Sequence, residues 1–494
     1  MSNEQSLASA IALHRRGSLR EAEAAYRRIL AVAPDYAEAH NALGIALQQQ
    51  GNAEGAVTAF RRAATLKPDY AAAQANLGAA LQRLGRIDEA AAAHGAAIAL
   101  DPTNPDYHYN LALVRQGGGD LDAAAAQYRA AIALRPGHAG AHNNLGTVLR
   151  MQGRLDQAIA AYRTAIAHDP SSPYFRYNHA QVALMRGDFA VGWSEHEFRF
   201  AAGIAHERHG DLPRWCGDRP AGRTILVWAE QGLGDSIQFG RYLPLLGRLG
   251  ARVVFEVQAA LGRLCGNIEG ITVVVRDRPL PVCDLQVPLM SLPYLMGTTV
   301  QTIPGDVPYL LPTEGSVARW RDRLGPRLRP RVALVWAGSP GYADDGNRSL
   351  PVELIAGMTA THSAIDFYSF QFGPAALKSA ATGPDGMIDL ADELGDFEST
   401  AGALTQMDLL ISADTSALHL GGAMGMPVWA LLPFAPDWRW LDGRDDCPWY
   451  PSLRLFRQRQ PRQWRPVLDR VSQELRRLFD TEGQAFAPLR PGSS

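Results

Sequence analysis

Small and apolar residues in the first 170 positions return every 34 residues, in two alternating helical stretches per period. Leu43-Gly44, Leu77-Gly78, Leu111-Ala112 and Leu145-Gly146 stand one period apart. Ala56, Ala90, Ala124 and Ala158 follow at a fixed offset. Phe60, His94, Tyr128 and Tyr162 come next, and then Ala63, Ala97, Ala131 and Ala165. Prolines at 34, 68, 102, 136 and 170 punctuate the periods. Each period predicts a pair of helices. The small residue in the first helix lets the second approach, and the apolar face of each pair is buried only when the next pair stacks on it. The segment around Leu13, Ala22, Tyr26 and Pro34 fits as a leading, partial repeat, and residues 173–200 continue the period imperfectly. There Tyr177-Asn178-His179-Ala180 fits a first helix, while Gly192-Trp193 and His196 replace the usual residues of the second. This predicts a sixth repeat adapted as a cap.

A 34-residue helical period is the signature of tetratricopeptide repeats. Within it Asn76, Asn110, Asn144 and Asn178 recur just before the Leu-Gly pair or its equivalent. This row resembles the asparagine ladder of O-linked N-acetylglucosamine transferases, which implies a protein or peptide partner held by its backbone in the concave groove. Carboxamides both donate and accept, so they suit an extended peptide. The alternative is that they satisfy polar groups within the repeats. His40, His108 and His142 recur at a helix-packing position and read as structural.

Beyond about residue 210 the rhythm changes to short β-rich runs alternating with helical stretches, the pattern of parallel sheets with crossover helices. The expected strands are 224–229, 252–257, 271–275 and 284–287, then 332–337, 367–370, 408–412, 428–432 and 453–457. A stretch rich in proline, glycine and arginine, 304–330, separates the two series. The expected fold is therefore multidomain: a helical repeat solenoid followed by an α/β domain of two Rossmann-like lobes. Ligand is expected at the carboxyl ends of the strands.

Two strand-to-helix turns carry candidate chemistry. After the run ILVWA, Gly232 and Gly234 form a turn and Asp235 opens a helix. Its carboxylate either caps the helix or serves as a general base. Later, Asp414-Thr415-Ser416 ends a strand and opens a helix carrying His419. Amides, hydroxyls and the helix dipole make that turn an anion site, the alternatives being an N-cap for Asp414 and core packing for His419. The aromatic segment containing Trp438 and Arg439 follows another strand. It either stacks on a base or sugar or packs a long loop.

The segments GLGD and SADTSALHLGGAMGMPVWALL resemble the heptosyltransferase family of glycosyltransferases over about residues 222–480. The coupling to repeats is similar to bacterial relatives of O-linked N-acetylglucosamine transferase. The resemblance implies the glycosyltransferase-B fold, inversion at the anomeric centre, a nucleotide-diphosphate sugar as donor, and neither metal nor other cofactor. By position it implies that Asp235 is the catalytic base. Gly234, Arg348, Asp414, Thr415, Ser416 and His419 are implied to bind the nucleotide-sugar, Arg348 standing where the family has lysine. Sequence position alone offers D-x-D, the acidic pair of metal-dependent transferases, at Asp120-Leu121-Asp122, inside a repeat where it starts a helix.

Composition adds limits. A net charge of −2 offers no pull toward nucleic acid or anionic membrane. Arginine accounts for 46 of the 48 basic residues, the lysines being Lys67 and Lys378. The four cysteines form no C-x-x-C pair, and no run reads as a secretory signal or membrane span, so a reducing, cytoplasmic setting is expected. The expected order is solenoid 1–200, linker 201–222, acceptor-side lobe 223–312, linker 313–330, nucleotide-sugar lobe 331–480 and flexible tail 481–494. Two functions stand open: an inverting, metal-independent glycosyltransferase acting on a protein or glycan recruited by the repeats, or a non-catalytic repeat scaffold with a degenerate ligand-binding domain. An incomplete dinucleotide fingerprint disfavours an oxidoreductase.

Overall fold

The structure is a computed structural model and describes residues 2–339, 341, 345–372 and 387–479. The expected tail at 481–494 lies outside the described residues. The chain forms two compact units, Met1–Asn178 and a second beginning at His179.

The first unit is a helical repeat array. Its helices pair as Asn3–Arg15 with Leu19–Val32, Ala37–Gln49 with Ala53–Leu66, and Ala71–Arg83 with Ile87–Leu100. Pro105–Gly117 pairs with Leu121–Leu134, and Ala139–Met151 with Leu155–His168. Each first helix ends on a glycine in the left-handed region, Gly17, Gly51, Gly85, Gly119 and Gly153, with φ between 72° and 82°. Such a residue reverses the chain at the helix C-terminus without a Cβ clash. Small residues then let the partner helix in. A Cβ on Gly44 would lie 2.6 Å from the Phe60 ring, and one on Gly146 would lie 2.9 Å from Tyr162. Gly78 faces His94 in the same way, at 2.7 Å. Asp120 caps its helix, accepting from the Ala123 amide at 3.2 Å.

The asparagine row bonds along the array. Asn76 Nδ2 donates to Asn41 at 2.9 Å, Asn144 Nδ2 to the Tyr109 hydroxyl at 3.0 Å, and Asn178 Nδ2 to Asn143 at 3.0 Å. Each reaches back 35 residues into the preceding repeat, and the position 35 residues before Asn110 is Ala75, which has no polar side chain. One donor of each of the three bonded carboxamides thus reaches the neighbouring repeat.

The division between units falls inside the helix Pro173–Met185, twenty-two residues before the expected boundary at 200. The helix Phe189–His196 belongs to the second unit, where Trp193 packs edge-on against Trp438, Trp449 and Phe239 at centroid distances of 5.2, 6.3 and 6.1 Å. An aromatic ring of this size buries more apolar area than the usual small residue. It therefore commits the last half-repeat to the α/β unit.

That unit holds two parallel sheets. The first contains β1 (Thr224–Trp228), β2 (Arg252–Val257), β3 (Ile271–Val275) and β4 (Leu285–Pro288), in the order β3-β2-β1-β4. The second contains β5 (Arg331–Val335), β6 (Asp366–Ser369), β7 (Ile388–Asp389), β8 (Leu409–Ala413), β9 (Val428–Leu432) and β10 (Leu453–Arg457), in the order β10-β9-β8-β5-β6-β7. The expected strands are present within one or two residues. Two expected linkers are structured. Residues 201–222 include a paired stretch, in which Trp215 N donates to Gln286 O and Gln286 N to Pro213 O, both at 2.9 Å. Residues 313–330 include the helix Glu314–Leu324, whose Trp320 is buried and donates to Ser399 Oγ at 3.2 Å. Proline and glycine content hid a helix that an N-cap at Thr313 starts and Gly325 ends. No helix among the described residues is long and apolar enough to cross a membrane.

The sheets are joined by buried polar and close-packed contacts. Arg241 donates from Nε to Gln238 O at 2.8 Å and from Nη1 to Pro304 O at 3.0 Å, with a short bond to Trp449 O, and lies over the Tyr450 ring at 4.6 Å. The backbone of Gly234 sits against His419, where a Cβ would come 2.8 Å from the ring. Gly234→Ala is expected to destabilise the second unit by about 1–3 kcal/mol through overpacking. Gly240→Ala, whose Cβ meets nothing within 4 Å, is expected to be near neutral. Thermal unfolding of the two variants checks the contrast.

In the first unit, His94 is fully buried and neither ring nitrogen has a hydrogen-bond partner among the described residues. Burial lowers its pKa from 6.5 to about 4. The unfolded chain therefore takes up a proton near pH 6.5 that the folded one refuses until about 4, and stability falls across that window as pH drops, by about 3 kcal/mol in total. His94→Phe, matching Phe60 in the same register, is expected to raise stability at neutral pH by about 1–2 kcal/mol and to remove that acid sensitivity. Urea unfolding followed by helical circular dichroism at several pH values measures both.

Candidate functional site

In an open parallel sheet, ligands bind where the strand order reverses direction, because the turns at the carboxyl ends there part to leave a crevice. In the first sheet the chain runs β1, β2, β3 outward and then returns to place β4 on the other side of β1. In the second it runs β5, β6, β7 and returns to place β8 beside β5. The turns after β1, β5 and β8 are those that carry Asp235, Arg348 and Asp414.

After β1 the helix Leu233–Phe239 begins at Gly232, and Asp235 Oδ2 accepts from the Gly232 amide at 2.8 Å. The capping reading of Asp235 is thus present in the structure. Its other oxygen, Oδ1, takes a short bond from Arg439 Nη2. Arg439 lies after β9, and its Nε donates to Gln238 Oε1 and its Nη1 to Asp437 Oδ1, both at 2.8 Å. Burial raises the Asp235 carboxyl above its ordinary range, opposed by the Arg439 charge and the Gly232 amide. Burial also opposes the charge on Arg439, but Asp437 and Asp235 outweigh it and hold the guanidinium protonated.

After β8 the N-cap of the helix Ser416–Ala423 is Thr415 rather than Asp414. Asp414 instead accepts from Trp440 Nε1 at 2.8 Å, and its backbone oxygen accepts from Arg348 Nη1 at 3.1 Å. Burial, then the Asp437 charge, push the Asp414 carboxyl up to about 6, against Trp440, Arg439 and Arg348. Thr415 Oγ1 and Ser412 Oγ lie 3.2 Å apart, sharing a hydrogen bond, and Ser416 sits half-buried in the first turn. His419 is buried, stacked on Trp440 at 5.4 Å and bonded through Nδ1 to the Tyr450 hydroxyl at 3.1 Å. Burial, with Arg439 and Arg241 nearby, puts its pKa well below 6.5, so the ring is neutral. Arg348 follows β5 and also pairs with Asp345 at 3.0 Å.

Asp235, Gly234, Arg348, Asp414, Thr415, Ser416, His419 and Arg439 are thus drawn to neighbouring turns of one unit. Trp438 differs. Its ring is 3% exposed, packed on Trp193 and Phe239 with Arg439 over it at 4.4 Å, so the loop-packing reading is the one the structure displays. The asparagines 76, 110, 144 and 178 belong to the first unit. Sequence reasoning missed Gln238, Asp437, Trp440 and Tyr450 as partners. A signal for two of them existed, since Asp437 and Trp440 flank Arg439 directly after β9, which pairs with β8.

A second polar cluster backs the first sheet. Arg199, wholly buried, donates to Glu230 Oε1 at 3.0 Å and to Ser291 Oγ at 2.8 Å. Glu256 at the end of β2 accepts from Arg208 at 3.1 Å and pairs with His209 at 2.9 Å. The expected linker 201–222 therefore forms part of the wall at the strand ends.

Comparison with known proteins bears mainly on the repeats. Residues 7–71, 109–173 and 146–191 match the tetratricopeptide repeat family, as do 71–93, and 83–117 match a TPR repeat. Protein FlbA of Caulobacter vibrioides is 25% identical over 338 residues, taking in 61% of this chain and 54% of FlbA. The chain thus spans about half the length of this curated relative. A share of 61% is more than the 178 residues of the first unit, so the similarity runs on into the second. Among solved structures, MamA is 25% identical with a TM-score of 0.32, covering 33% of this chain and 94% of MamA. PilW, a type IV pilus biogenesis factor, is 21% identical with a TM-score of 0.38, covering 42% and 96%. YrrB, described as a TPR protein with an unusual peptide-binding site, is 22% identical with a TM-score of 0.31, covering 34% and 86%. The N-terminal part of the chain is an array of tetratricopeptide repeats.

Proposed function

We propose that the second unit is a metal-independent inverting glycosyltransferase that moves a sugar from a nucleotide-diphosphate sugar to a protein or glycan recruited by the repeats in the cytoplasm. The observation that carries this reading is the coincidence of the Asp235, Arg348 and Asp414–His419 turns with the reversal points of both sheets. In the proposed reaction the acceptor hydroxyl attacks the anomeric carbon and loses its proton to Asp235. The carbon–oxygen bond to the diphosphate breaks, its electron pair leaving with the phosphate. Arg348 and the N-terminus of the helix Ser416–Ala423 meet that charge. Attack from the face opposite the leaving group inverts the centre.

One observation favours the second reading, a scaffold whose transferase-like unit only binds ligand or completes the fold. Asp235 is engaged at both oxygens, by Gly232 and Arg439. A thermal-shift screen of nucleotide-diphosphate sugars separates the two. The transferase reading expects one donor at about 100 times its Kd to add roughly 2.7 kcal/mol, a rise of several degrees. Asp414→Ala is expected to abolish that rise, and Asp235→Asn to keep it while lowering transfer at least about 100-fold. Stabilisation by none of the donors favours the scaffold.

For the groove, replacing Asn76, Asn110 and Asn144 together by alanine is expected to raise KM for a protein acceptor about tenfold and spare a small one. Equal losses for both acceptors, or a fall in repeat stability alone, assign the row to the bonds between repeats.

A further inference from the structure

The guanidinium of Arg439 spans the two halves of the candidate site. Its Nη1 and its own backbone amide bond Asp437 Oδ1, at 2.8 and 3.0 Å, on the same short segment after β9. Its Nε and Nη2 bond Gln238 and Asp235, both on the helix after β1. Rotation of the side chain about the Asp437 bond breaks both links to that helix while keeping its own anchor. Asp235 would then retain the Gly232 amide at Oδ2 and have Oδ1 released.

We propose that Arg439 exchanges Asp235 for the diphosphate of the donor, so that donor binding itself releases Asp235 to receive the acceptor's proton. This rests on the glycosyl-transfer reading above. A diphosphate offers a guanidinium several anionic oxygens in bidentate geometry, against one oxygen from Asp235. A carboxylate neutralised by a guanidinium is a weak proton acceptor. The same carboxylate, buried and left near the Asp437 charge, is a stronger one. The proton leaves the acceptor oxygen for Oδ1, and the electron pair of the broken bond stays with the diphosphate that Arg439 now faces. The charged and titratable groups around the exchange are Asp437, Asp414, Arg348 and Arg241, with His419 and His196 buried and neutral. Donor must bind before acceptor, and Asp235 does not act as a base on the unloaded protein.

Calorimetric titration of the full chain at neutral pH with UDP, GDP, ADP and inorganic pyrophosphate, in two buffers of different ionisation enthalpy, tests the exchange. Relative to Asp235→Asn, the wild type is expected to take up a small fraction of a proton on binding, Asp235 staying mainly ionised and so able to serve as the base. A phosphate docking on a cation loses protons in both proteins, so the difference between wild type and Asp235→Asn isolates the uptake at Asp235. Asp235→Asn removes the competitor for Arg439 and is expected to bind about tenfold tighter with no uptake. Its amide oxygen still accepts from Gly232, and its unfolding midpoint is measured alongside. Arg439→Gln is expected to bind at least about tenfold weaker, and adding Asp235→Asn to it to restore nothing. Binding with equal affinity and equal proton exchange in wild type and Asp235→Asn overturns the exchange and leaves the transferase reading standing. Binding of none of the four probes to folded wild type overturns the transferase reading and the exchange together.

Discussion

A guanidinium buried between two sheets has to be met on every side, and Arg439 is. Stripping a charge of water costs several kcal/mol unless fixed partners replace the solvent. Here two carboxylates, a carboxamide and an indole face supply that replacement. The partners come from the helix after β1 and the loop after β9, so satisfying one side chain fixes two turns that are distant in sequence. The neighbouring Asp414–Trp440 bond and the Gly234–His419 contact are set by the same closeness. What looks like a catalytic constellation is also the joint of the unit, and each requirement limits the other: the partners that keep the charge tolerable are those a ligand would need to displace.

Such a joint also explains the aromatic density around it. Phe239 and Trp438 lie against the charge, with Trp193 and Trp449 packed on them, and together they keep water of high dielectric constant away from it. That strengthens each of its bonds and raises the cost of leaving any unmade. The elevated carboxyls of Asp235 and Asp414 and the neutral His419 follow from one cause, exclusion of water. Sites that shift several pKa values together in this way are where acid–base chemistry is usually found, although ion-pair joints shift them as well.

Much of the repeat unit could be read from the sequence because its contacts are local. Gly44 meets Phe60 and Gly146 meets Tyr162 sixteen residues on, and the meeting recurs with the period. In the α/β unit the strands and the two glycine turns were visible, since hydrophobic runs and helix starts are also local signals. What stayed hidden was pairing across long stretches of chain. Nothing near Asp235 announces Arg439, two hundred and four residues later. In the sequence Trp438 is open to either stacking on a ligand or packing its loop, until Trp193 and Phe239 are known to cover it. The helix Glu314–Leu324 was masked by flanking prolines and glycines, though its N-cap Thr313 was in view. His94 stands in the sequence at an aromatic position, but that its ring has no partner among the described residues depends on three-dimensional surroundings.

The last half-repeat has changed allegiance. Arg199, Trp193 and Phe189 hang on residues of the α/β unit, while the first part of their helix pair completes the solenoid's asparagine row through Asn178. Gene rearrangements that exchange one repeat array for another therefore have no clean seam at the end of the repeats. A junction placed after residue 200 would carry away the aromatic partner of Trp438 and leave Glu230 ionisable in a dry interior. A junction that preserves both falls at or before the start of the helix Pro173–Met185, a half-repeat or more ahead of residue 200. Upstream of that point whole repeats can be exchanged without touching either partner.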